Sequence, residues 1–91
     1  MGREITLFES EERKSRGEVC AFVRAIADKI DDGRVTLKLG TKELVLELPG
    51  QLVLEVEAEN EEKSDKGTQH RLEIEIKWWD GIGDGGGVQL G

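Results

Sequence analysis

The sequence predicts an α+β fold: a two-layer sandwich in β-α-β-β-β-β order, with one helix packed on one face of a mainly antiparallel five-stranded sheet. Three observations predict it. One stretch has helical period and carries its own N-terminal cap. The stretches around it alternate apolar and polar residues with period two. The last four of these are joined by turn sequences rather than by crossover segments, which makes them an antiparallel meander.

The first strand is read at residues 3–9, "REITLFE", where Ile5 and Leu7 alternate with Glu4 and Thr6. Residues 10–14, "SEERK", are a polar connection. "SRGE" at residues 15–18 is a capping box: Ser15 can bond the amide of Glu18, and Glu18 can reach back. Val19, Phe22, Val23, Ile26, Ala27 and Ile30 then fall on one stripe of a helix predicted over residues 16–31. Gly33 stands where a left-handed C-terminal glycine belongs. Asp31 and Asp32 oppose the helix dipole there, so they serve no purpose in stabilising that end.

After Gly33 the period becomes two. "RVTLKL" (34–39) sets Val35, Leu37 and Leu39 on one face, "GTK" is a turn, and "ELVLEL" (43–48) does the same with Leu44, Leu46 and Leu48. Pro49-Gly50 ends that strand. "QLVLEVEAE" (51–59) puts Leu52, Leu54, Val56 and Ala58 inward and Glu55, Glu57 and Glu59 outward. Residues 60–70 read as a polar loop. "RLEIEIKWW" (71–79) closes the meander, with Leu72, Ile74, Ile76 and Trp78 on one face and Trp79 on the other. Residues 1–79 thus make one domain, and residues 80–91, with six glycines in twelve residues, a flexible tail.

The composition limits function. Twenty acidic and 13 basic residues give a net charge of −7, so nucleic acid and anionic lipid are disfavoured as partners. The one dense basic group is Arg13, Lys14 and Arg16. With Arg24 it is the only footing for a nucleic-acid reading. A single cysteine, Cys20, allows no internal disulfide and fits a reducing compartment. With no span-length apolar run and no apolar leader, a soluble, cytoplasmic protein without a membrane association is expected.

Taken together, "LFESEERKSRGEVCAFVRAIADKIDDGRVTL", the "LPG" after "ELVLEL", the "LVLEVEAE" strand and the closing "RLEIEIKW" resemble the amphi-Trp domain family of small prokaryotic domains over roughly residues 5 to 78. The resemblance implies the architecture and assigns Trp78 to the family tryptophan. Ser15, Glu18, Ala27-Asp28 and Gly33 also look like family positions. It supplies no catalytic residue, and Trp79 and the glycine-rich tail lie beyond it.

Chemistry is sparse. His70 is the lone histidine, at a loop–strand boundary with no nucleophile near it in sequence, and reads as a solvated residue. Cys20 follows the helix N-terminus, where thiol pKa values can fall, but it flanks the apolar stripe and reads as a small semi-buried residue. "DGIGDGGG" (80–87) lacks the ligands of a calcium loop and the flanks of a phosphate loop. No catalytic, cofactor-binding or metal residue is therefore assigned, and the chain is not expected to be an enzyme.

The outer sheet face says more. If the last hairpin closes near residue 65, Glu59 faces Arg71, Glu57 faces Glu73 and Glu55 faces Glu75. Like charges directly opposite are unfavourable. Either the face is merely solvated and guards against sheet association, or it meets a cation or a basic partner. Trp79 either has the shape of an interface anchor beside it or, if the strand ends at Trp78, covers the sheet rim or folds under the tail. Trp79, Glu55, Glu57, Glu73 and Glu75 are the candidate interaction residues. Trp78, Ser15, Glu18, Phe22, Ile26 and Gly33 are structural. The expected function is a small non-enzymatic interaction or assembly module that binds a protein partner or a second copy. The alternatives are an acidic nucleic-acid mimic regulating a basic DNA-binding protein, and a small enzyme using His70 or Cys20.

Overall fold

A computed structural model describes residues 2–80. It is α+β, with one helix and four strands in the order α-β-β-β-β. The elements are α1 (Arg16–Asp32), β1 (Arg34–Leu39), β2 (Lys42–Glu47), β3 (Val53–Lys63) and β4 (Gly67–Lys77). They form two antiparallel two-stranded sheets, β1–β2 and β3–β4, in place of the expected five-stranded sheet. The chain divides into two compact units, Met1–Leu48 and Pro49–Gly91.

Two features account for the difference. Residues 3–9 carry the predicted alternation but form no strand, and Ile5 and Leu7 are 68% and 58% exposed. Alternation describes a strand's faces and says nothing of an edge to pair with, and a strand exists only with a partner. Between β2 and β3 the chain passes through Pro49, which has no amide hydrogen to give a ladder, and the meander breaks there into two hairpins. The glycine-rich segment assigned as a tail lies, from residue 81, outside the described residues.

In the first unit, α1 starts as predicted. Ser15 Oγ accepts from the Glu18 amide at 3.1 Å, and Glu18 Oε1 accepts from the Ser15 amide at 3.0 Å. Both satisfy donors that a helix start otherwise leaves open. Gly33 ends the helix at φ 84°, its amide donating to the Ile30 carbonyl at 3.0 Å. Its own carbonyl accepts from the Leu48 amide at 2.9 Å, so one residue both stops the helix and ties down the end of β2. Gly40, at φ 62°, opens the two-residue turn between Leu39 and Lys42. A glycine in that position suits a turn that follows the strand twist.

The helix packs against β1, and Val35 beneath it is the one buried hydrophobic residue among those described, at 6% exposure. Ile26, Ile30, Leu37, Leu44 and Leu46 are half-buried. The N-terminal segment contributes Phe8 to an apolar groove of about 540 Å³ with Val19, Phe22, Ile26, Leu37 and Leu39.

The second unit holds the β3–β4 hairpin. Its strands run eleven residues each and absorb most of residues 60–70, which the sequence marks as a loop. The turn is confined to Ser64, Asp65 and Lys66. The Lys66 amide donates to the Lys63 carbonyl at 3.2 Å, and Gly67 follows at φ 80°. The pairs Asn60↔His70, Glu61↔Gln69 and Glu62↔Thr68 are polar on both faces, so the period-two signal vanishes although the ladder continues.

Candidate interaction surface

Alternation gives the β3–β4 hairpin two faces. One carries Leu54↔Ile76, Val56↔Ile74 and Ala58↔Leu72. The other carries Glu55↔Glu75, Glu57↔Glu73 and Glu59↔Arg71, in the register expected from a turn near residue 65. Glu61 and Lys63 extend the charged face toward the turn, and Lys77 extends it toward the open end. Six carboxylates and three cations therefore share one side of a two-stranded ribbon.

Lys77 and Lys63 sit at the two ends, and Arg71 lies between them, facing Glu59. Lys77 Nζ lies 2.6 Å from Glu55 Oε1. Arg71 pairs with Glu59 opposite it, and its Nε lies 3.2 Å from Glu73 Oε1 on its own strand. Lys63 Nζ is 3.5 Å from Glu61 Oε1. Among the described residues Glu57 and Glu75 have no ion pair. They lie diagonally across the middle of the ribbon.

The β1–β2 hairpin provides a contrast within the same chain. There Arg34 faces Glu47, with Arg34 Nε 2.8 Å from Glu47 Oε2, and Lys38 faces Glu43, with 3.6 Å between Nζ and Oε2. Its outer charges are matched pair by pair, whereas those of β3–β4 oppose carboxylate to carboxylate in two consecutive non-apolar positions. Opposed like charges disfavour a ribbon. Solubility alone would be served by the matched pattern.

Local bonds shift the ionisation of the ends. The hydrogen bond from Lys77, then one with Glu75 and the Lys77 charge, holds the Glu55 carboxyl below the usual glutamate value. The same bond to Glu55 raises the Lys77 ammonium above the usual lysine value. Glu59, by hydrogen bond and charge, raises Arg71 in the same way. In the first unit, the backbone bond from Ser15 and then its side-chain bond lower the Glu18 carboxyl.

β4 stops at Lys77, so both tryptophans lie beyond the ladder and the strand predicted to residue 79 is two residues shorter. Trp78 is half-buried, and Trp79 is 57% exposed. The structural residues behave individually: Ser15 and Glu18 cap α1, Gly33 ends it, and Ile26 is half-buried. Phe22 lines the groove yet is 61% exposed, more open than a core position implies.

Two relationships escaped the sequence. His70 Nδ1 and Asn60 Oδ1 lie 2.7 Å apart, because the ladder runs on through the presumed loop. Lys77 reaches Glu55 across the diagonal. Extending the register from Glu57↔Glu73 three residues toward the turn, to Asn60↔His70, and four residues the other way, to Val53↔Lys77, would have found both. Cys20 is exposed on α1 rather than semi-buried. Among the described residues, no group of three or more His, Cys, Asp or Glu is disposed to hold a metal, and no helix is long and apolar enough to cross a membrane.

A small α+β module with a two-faced hairpin is the class these features define. The chain belongs to the Amphi-Trp domain family, whose model matches residues 1–90. Neither the curated proteins nor the solved structures contain a match to it.

Proposed function

We propose that the protein is a non-enzymatic interaction module whose charged hairpin face, with Trp79 at its end, binds a basic protein surface. One observation carries this reading: among the described residues Glu57 and Glu75 form no ion pair, Glu75 feeling Lys77 only through its charge, on a ribbon whose other hairpin matches every outer charge. A basic side chain from a partner relieves that repulsion and gains two carboxylates at once. Trp79, 57% exposed and two residues past Lys77 at the end of β4, adds the large flat contact that interface centres favour. His70 is engaged with Asn60, and Cys20 is exposed with no histidine in its own unit, so neither favours an enzymatic reading.

The test is a pull-down with the full chain, the Glu57→Gln/Glu75→Gln variant and Trp79→Ala, each checked for unchanged circular dichroism. A basic partner that is retained by the native chain, released by salt and lost with both variants is the expected result. A partner list that is the same for all three chains overturns it.

A second reading, an acidic mimic of nucleic acid, takes support from the same rows. Carboxylates on alternate residues of a strand repeat at about 6.8 Å, close to two steps of one DNA strand at about 3.4 Å each. DNA displacing the captured partner favours the mimic, and retention of the partner against DNA favours the simple interaction module.

A further inference from the structure

We draw no further inference here: the strongest candidate, the apolar groove of about 540 Å³ that Phe8, α1 and β1 line in the first unit, carries none because nothing in the structure shows what covers it.

Discussion

Lys77 bonds Glu55 across the diagonal of the hairpin, with 2.6 Å between Nζ and Oε1, reaching past Glu75, the residue that faces Glu55 directly. The ribbon has a like-charge pair at this position, and Lys77, the next residue of β4 on the same face, compensates one half of it. Glu75 is left as the surplus charge.

The pH dependence of this bond has a defined sign. Glu55 is lowered when folded, so its contribution is complete above the unfolded glutamate value and is lost as pH falls through the lowered one. Lys77 is raised, so its contribution is complete below the unfolded lysine value and is lost as pH rises through the raised one. The stabilising effect therefore spans neutral pH and fades at both extremes. Lys77→Met should lower the urea midpoint at pH 7 and at low salt, and the gap from the native chain should close in acid below the Glu55 transition. A gap that persists at pH 2 would show that Lys77 acts through packing of its methylene stem instead.

The first unit offers a cleaner stability test. Ser15 is the N-cap, satisfying the Glu18 amide, and removing such a side chain costs about 1 kcal/mol. Ser15→Ala is expected to lower thermal stability by that amount and to fray the start of α1, with loss of helical circular dichroism. Ser15→Asp should restore most of it, because an aspartate also accepts from the amide and favours the positive end of the dipole.

Gly33 is the matching test at the other end. A Cβ there would meet the Leu48 carbonyl oxygen at 3.7 Å, an ordinary contact, so space does not forbid it. The backbone does: φ is 84°, where an L side chain costs about 1–2 kcal/mol. Gly33→Ala should destabilise by that amount and Gly33→Asn by clearly less, since asparagine tolerates the left-handed region. Equal losses from the two would point to the contact with Leu48 rather than to φ.

The helix and the register of the acidic rows were legible because each is set locally. A capping box and a 3.6-residue stripe fix α1, and a turn near residue 65 fixes Glu55, Glu57 and Glu59 against β4. The first strand was misread because two alternating residues, Ile5 and Leu7, define faces but no partner. The hairpin's far half was misread because Asn60, Glu61 and Glu62 carry no hydrophobic period, although backbone pairing carries on through them. The division into two sheets was hidden in the backbone at Pro49, which the sequence marks as the end of a strand without saying whether the next strand returns to pair.

The two tryptophans close the set. They are adjacent and are the chain's only ones, and there is no tyrosine, so fluorescence reports on them alone. Trp78 is half-buried and Trp79 is 57% exposed. Deleting a fully buried large aromatic costs about 3–5 kcal/mol, so a half-buried one should cost about 2 kcal/mol. An exposed one should stay within about 0.5 kcal/mol. Trp78→Ala is accordingly expected to lower the melting temperature, and the Trp79 emission left in that variant should be red-shifted. Trp79→Ala should melt with the native chain, keep a blue-shifted emission from Trp78, and lose affinity for the basic partner. If the two variants melt alike, the exposed tryptophan belongs to the fold, and the binding role assigned to it is withdrawn.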